Sequence, residues 1–492
     1  MLDHPASSVA HRRGNSSTYF QILMFFLAFL QYANTLRHDY AWDDKLVITA
    51  NAYTTRGIAG IRDIFTKRVS FPYKSEYRPV PQAMFAVEYQ LFHANPHAGH
   101  FLNALWYAAT CLLVYWFVVF AFPRTHPLFP VLVAALFAVH PLHVEVVANI
   151  KSRDEILSLF FGLSGVILTV KALEKWNWRF FIGGVVCLVL ALLSKTDAVT
   201  LLPVIAFVAW YRSEDPRISR NLAIGVVTIA VCSLVLVLLI RYSQNTVSPK
   251  ATAQLNSTVL NNIFLWSKHP RQIAPTSLVI IARYFRLFVY PHPLIHLYGY
   301  DQIPLNRWTD PLVWIVVTGI AGLGFIAVKC WRSRSQLMFG LALFAITYSV
   351  YSNFLFFAPD TMADRFMFIP SLGLAIACVW LVFKLASVDL RSASLDTARA
   401  KGVVACFALL LCAYFARTWI ANRDWRNDST LIFNRIQYMD NNAAAQAIYG
   451  FMLNKASAEA PSPKLAREEK IAAMKAFTRA IEIYPDFYGA WI

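Results

Sequence analysis

The chain has 492 residues, of which 57% are hydrophobic, 15% aromatic and 15% charged, and its mean hydropathy is +0.46. That balance is too apolar for a soluble globular enzyme and marks a polytopic membrane protein. The net charge of +17 does not gather into a nucleic-acid-binding patch, because many of the basic residues fall in short links between apolar runs, where they set topology.

A hydrocarbon core of about 30 Å takes roughly 20 apolar residues per helix. A tail over 1–18 with Arg12 and Arg13 leads into an apolar run at 19–36. No small-residue cleavage site follows that run, so it reads as an uncleaved anchor with the N-terminus cytoplasmic. Further spans are predicted at 101–122, 128–148, 155–172, 180–194, 198–211, 221–241, 311–330, 336–357, 366–384 and 402–421, about eleven in all. Links bearing Arg124, Lys171, Arg212, Arg332 and Lys384 then share the cytoplasmic side.

Residues 278–290, "LVIIARYFRLFVY", are apolar but short and carry Arg283 and Arg286. If they crossed, every later basic link would move to the outer side. They are therefore read as an interfacial helix, with the C-terminus outside.

The outer regions 37–100, 242–310 and 422–492 are large enough to build a site. In the first, Ile58, Ile61 and Phe65 make an apolar stripe at helical spacing, as in a helix lying in the membrane plane. The transmembrane unit extends over 19–421, and the region after it changes in kind. There, "AMKAFTRAIEIYP" places Ala473, Phe477, Ala480 and Pro485 as in the second helix of a tetratricopeptide repeat, with Tyr449 and Gly450 in the first. A new repeat begins after Pro485 with Trp491, so the chain is expected to be a shortened form of a longer protein.

The seven cysteines lie within or at the end of apolar runs without paired spacing, which indicates neither a disulfide framework nor a zinc site. The middles of the spans are almost free of ionisable residues, whereas a pump or carrier keeps such groups near the midplane. The polar residues gather instead at the outer helix ends. They are Asp43 and Asp44; His140, His143, Glu145, Lys151, Arg153, Asp154 and Glu155; Lys195 and Asp197; and Asp360, Asp364 and Arg365. Arg78, Arg283 and Arg286 join them.

Carboxylates and fixed cations at a lipid interface suit glycosyl transfer from a polyprenyl-phosphate sugar. Arginine or lysine stabilises the phosphate as it leaves, and a carboxylate takes the proton of the acceptor hydroxyl. Asp43 and Asp44 are the candidate catalytic pair, each raising the other's proton affinity. Arg78, Arg153, Arg283, Arg286 and Arg365 are candidates for the donor phosphate, and His140, His143, Glu145, Asp154 and Asp364 for positioning the acceptor or sugar. His140 and His143 share a helix face, as metal ligands do, but no third ligand is evident and no metal is assigned.

The stretches "YAWDDKLVITAN", "YRPV", "FAVHPLHVEVVANIKSRDEILSLFF", "SKTDAVTLLPV", "YPHPLIHLYGYDQIP", "ADRFMFIPSLGLAI" and "NRDWRND", with a trailing repeat, occur in the order seen in one family. The chain resembles the transmembrane and tetratricopeptide-repeat O-mannosyltransferases of the GT-C superfamily of integral membrane glycosyltransferases. The resemblance implies an all-α GT-C fold, an acidic pair in the first outer loop, a polyprenyl-phosphate sugar donor such as a mannosyl lipid, and inverting transfer to a protein or glycan acceptor with no cofactor or metal. It implies residence in a bacterial inner membrane or the endoplasmic reticulum. The contrasting expectation is a non-enzymatic scaffold that binds a protein partner through the repeat hairpin. It leaves the acidic pair and the outer arginines without a role.

Overall fold

The computed structural model describes residues 6–66, 77–213, 260–266, 270–390 and 397–487. Helices and short 3-10 turns carry the regular structure, and no strand occurs among these residues. The helices are α1 (Ala6–Gln31), α2 (Asp44–Val47), α3 (Ile61–Thr66), α4 (Pro79–Phe92), α5 (Pro96–Ala121), α6 (Leu128–Val139), α7 (Val144–Ala148), α8 (Arg153–Glu174) and α9 (Trp178–Ser194). They continue as α10 (Leu201–Arg212), α11 (Ile273–Val289), α12 (Pro311–Lys329), α13 (Gln336–Tyr348), α14 (Pro370–Leu385) and α15 (Ala398–Asn422), followed by α16 (Asp428–Arg435), α17 (Ala443–Ala458) and α18 (Pro463–Ile483).

Local chemistry sets several boundaries. Asn95, Asn177 and Ser335 cap α5, α9 and α13 with side-chain oxygens that accept first-turn N–H groups. Pro141 follows α6 after the single residue His140, and the chain bends by 50° between α6 and the segment Pro141–Ala148. Every residue of α6 from Phe129 to Val139 is buried, so this apolar helix forms the centre of the bundle. At the α13–α14 crossing a Cβ on Gly340 would lie 2.5 Å from the Gly373 carbonyl oxygen, so only glycine permits the approach. In α12, by contrast, Val313 and Val316 are the buried residues, while Ile315, Phe325 and Val328 face outward. Such an exposed apolar wall suits lipid.

Five helical segments among the described residues are long and apolar enough to cross a membrane, or six if the bent α6–α7 pair is one span. Four shorter apolar helices accompany them. This is a multi-pass membrane protein. The predicted span at 221–241 lies outside the described residues, and that at 198–211 divides into the 3-10 turn Thr196–Thr200 and the 12-residue α10.

The segment 278–290 is longer than its sequence suggests, because its helix begins at Ile273 and, with the turn before it, meets the length and hydropathy criterion for a span. Its flanks nevertheless share one end of the bundle. On the N-terminal side Asn262 donates to the Ala358 carbonyl at 2.6 Å, and at the C-terminus Phe288 O accepts from Tyr414 at 2.9 Å, beside His140. The helix read around Ile58 to Phe65 forms as a 3-10 piece, Thr54–Gly60, followed by α3, with Ile58 and Phe65 exposed and Ile64 buried.

The C-terminal segment ends in an α17–α18 hairpin. Gly450 lies under the Phe477 ring, where a Cβ would come within 2.8 Å of it, and Ala447 packs with Ala480. Residues 488–492, including Trp491, lie outside the described residues.

Candidate active site

The neighbours Asp43 and Asp44 occupy different environments. Asp44 is fully buried: Oδ2 accepts from the Ala41 N–H at 3.1 Å and Oδ1 from the Lys151 N–H at 2.7 Å. Burial pushes its carboxyl up to about 7, against the pull of these two N–H groups. The Asp43 side chain is 40% exposed, with Lys151 Nζ 3.7 Å from Oδ2. The preceding residue, Trp42, has a φ of 56°. Its N–H donates to Asp428 at 2.7 Å, and Lys45 Nζ lies 2.7 Å from the other Asp428 oxygen. The first loop is thus clasped on one side by the turn that precedes α8 and on the other by α16.

Arg365 forms ion pairs with Glu145 and Asp360, and its N–H donates to Glu145 Oε2 at 3.1 Å. Burial alone would lower the affinity of its guanidinium for the proton. The carboxylates of Glu145, Asp360 and, farther off, Asp43 outweigh that effect and hold it well above its ordinary value. Asp364 turns the other way and accepts from Tyr298 OH at 2.9 Å and from the Ile295 N–H at 3.0 Å. Burial, reinforced by Glu145, pushes it up to about 8.

A second set of charges adjoins the first. Arg78 pairs with Asp154, and Lys195 with Glu155. Lys195 Nζ also lies 2.9 Å from Asp197 and 3.0 Å from Tyr351 OH. The Tyr351 ring stacks on Phe366 at 4.2 Å, next to Arg365 in the chain, and so joins the two sets. All these groups sit at the same end of the bundle, at the C-termini of α1, α6, α9, α13 and α15 and the N-termini of α8 and α14.

Other expected site residues are occupied differently. Arg153 is 0% exposed, paired with Glu88, bonded to Asn103 Oδ1 at 2.6 Å and lying over the Phe85 ring. Its guanidinium serves packing, which does not fit the expected contact with a donor phosphate. His143 is equally enclosed, between Tyr107 OH and Ser371 Oγ, each at 2.9 Å. His140 accepts from the Leu142 N–H and lies 3.0 Å from Phe288 O. With their ring nitrogens engaged, both histidines hold the α6–α7 bend, rather than an acceptor. Arg283 is half-buried and Arg286 exposed on α11. Among the described residues no group of three or more His, Cys, Asp or Glu side chains is placed to hold a metal ion.

Sequence alone does not single out Glu88, His296, Tyr298, Tyr351 or Asp428. His296 and Tyr298 stand in the quoted stretch "YPHPLIHLYGYDQIP" and Asp428 in "NRDWRND", so for these three the signal is the motif itself.

A family model described as dolichyl-phosphate-mannose-protein mannosyltransferase matches residues 76–240. The chain is 26% identical to the protein O-mannosyl-transferase F38B6.6 of Caenorhabditis elegans, over 86% of this chain and 58% of that one. It is 23% identical to the human protein O-mannosyl-transferase TMTC3, over 84% of this chain and 45% of the relative. With the Drosophila melanogaster protein O-mannosyl-transferase Tmtc1 it shares 32% identity over 36% of this chain and 21% of the other. The chain thus spans about half the length of the first two relatives.

Proposed function

We propose that this chain, which is of the TMTC/O-mannosyltransferase-like kind within the GT-C glycosyltransferases, transfers mannose from a polyprenyl-phosphate donor to a hydroxyl of a protein acceptor. The observation that carries the reading is the division of labour in the acidic pair. Asp43 keeps an accessible carboxylate beside Lys151 and in the field of Arg365, whereas Asp44 is sealed and saturated by backbone N–H groups.

In the reaction, Asp43 accepts the proton of the acceptor hydroxyl as its oxygen attacks the anomeric carbon. The bond between that carbon and the phosphate oxygen breaks, its electron pair leaves with the lipid phosphate, and the configuration inverts. Arg365 and Arg78, fixed in place before the substrate arrives by Glu145, Asp360 and Asp154, supply positive charge to the leaving phosphate, and Lys151 adds to it from beside Asp43. Arg283 and Arg286 on α11 are assigned in this reading to the anionic headgroup of the lipid donor. The basic links at the opposite end favour a cytoplasmic N-terminus and a site on the outer or lumenal face.

The test uses the purified full chain with dolichyl-phosphate mannose and a serine- and threonine-containing peptide. Asp43→Asn is expected to lower transfer by about 10²- to 10⁴-fold, the usual contribution of a positioned base. Undiminished turnover in that variant would remove Asp43 from the role.

A further inference from the structure

The carboxylates and cations around Asp43 are matched to one another. His296 is not: the residue is 6% exposed, and neither Nδ1 nor Nε2 has a hydrogen-bond partner among the described residues. The imidazole lines a small cavity with Glu145, Asp364, Trp425 and Arg435. The charged members of that wall are already engaged, Glu145 with Arg365, Asp364 with Tyr298 and Ile295, and Arg435 with Asp424 and the Leu294 carbonyl. The Trp42 ring meets His296 edge-on, with centroids 4.8 Å apart, and Asp43 is the next residue in the chain.

A buried polar group without a partner destabilises a fold, so a site that retains one calls for a ligand or an ordered water. Burial, with Arg435 and Arg365 nearby, holds His296 down to about 3, and the ring is neutral. It therefore offers one N–H donor and one lone pair. An anion would face Glu145 across the cavity, and a cation would face Arg435. A hydroxyl is neutral, and it both accepts and donates.

We propose that His296 is a hydroxyl-binding residue of the site, its two ring nitrogens engaging hydroxyl groups of the transferred sugar or of the acceptor. The proposal rests on the glycosyl-transfer reading above. It also assigns Trp42 a part, since the residue that carries one edge of the imidazole leads directly into the base.

The test is His296→Phe in the full chain, with His296→Gln as the variant that keeps a donor and an acceptor. The Phe variant is expected to unfold at the same temperature as the wild type or higher, because an unpaired polar group has been removed, yet to lose at least about tenfold in kcat/KM. The Gln variant is expected to recover part of the loss. Thermal shifts with dolichyl-phosphate mannose and with bare dolichyl phosphate separate the sources. If the sugar hydroxyls bind His296, the extra shift given by mannose disappears in the Phe variant. If the acceptor hydroxyl binds there, that shift persists and the KM for the peptide rises.

Wild-type kinetics in the Phe variant would overturn the proposal and leave the cavity to water. A fall in midpoint together with activity, without recovery in the Gln variant, would also overturn it by making the imidazole a packing residue. A wild-type protein that is shifted by the mannosyl lipid but never transfers the sugar would sink the glycosyl-transfer reading. Loss of that shift in the Phe variant would then still support His296.

Discussion

The backbone N–H of Lys151 donates to Asp44 at 2.7 Å, while its ammonium lies 3.7 Å from Asp43. One residue thus seats the buried member of the acidic pair and sets charge against the exposed one. Asp44→Asn separates these functions from Asp43→Asn. The amide has one acceptor oxygen for two N–H groups, and leaving one of them unsatisfied in a buried place costs about 1–3 kcal/mol. Thermal unfolding in detergent is expected to show a lower midpoint for Asp44→Asn and an unchanged one for Asp43→Asn, with transfer reduced in both.

Arg365 and Glu145 form a largely buried pair, and removing one partner leaves the other uncompensated. Arg365→Ala is expected to destabilise the protein by about 3–5 kcal/mol. Combining it with Glu145→Gln is expected to cost less than the sum of the single changes, and a double-mutant cycle on unfolding midpoints measures the difference. Strict additivity would mean that the pair is uncoupled in solution. Arg365→Lys keeps the charge but loses the planar fork, so it is expected to weaken donor binding more than it lowers the midpoint.

Stability is expected to vary little between about pH 4 and 6.5 and to fall from there to about pH 8, because two sets of buried groups act in opposite directions. His38, held down to about 4, and His296, at about 3, are neutral when folded but charge in the unfolded chain below about 6.5. Their stabilising contribution grows as pH rises to that value and is complete above it. Asp44 at about 7 and Asp364 at about 8 retain protons that the unfolded chain releases above its ordinary value of 3.8. Their contribution falls with rising pH up to their folded values. Between about pH 6.5 and 8 only the carboxylate slope remains, so the midpoint should decline there. Asp364→Asn should flatten that limb. A midpoint still climbing at pH 8 would contradict the assignment.

The gathering of charged groups at one end of the bundle was legible in sequence, because charge is excluded from the lipid-facing middles of helices and must collect at their ends. That Asp360, Asp364 and Arg365 share this end with Glu145 followed from alternating span directions. The split between Asp43 and Asp44 did not, since it depends on a contact with Lys151, which is 107 residues from Asp44. Arg153 reads in sequence like the other arginines of the outer end, and only the meeting with Glu88 and Asn103 sets it inside. His296 was hidden for a different reason: a histidine between apolar residues in a loop reads as packing until both of its nitrogens are seen without partners.

The clasp of Asp428 on Trp42 has a mechanical consequence. The residues after α15 are fastened to the acidic loop at Trp42, to the Leu294 carbonyl through Arg435 and to the Leu297 carbonyl through Asn442, the capping residue of α17. The hairpin therefore grows from an anchored root rather than hanging on a tether. A pull on it would load the residue next to Asp43 and the stretch of chain that carries His296, so the C-terminal helices are tied to both sides of the candidate site.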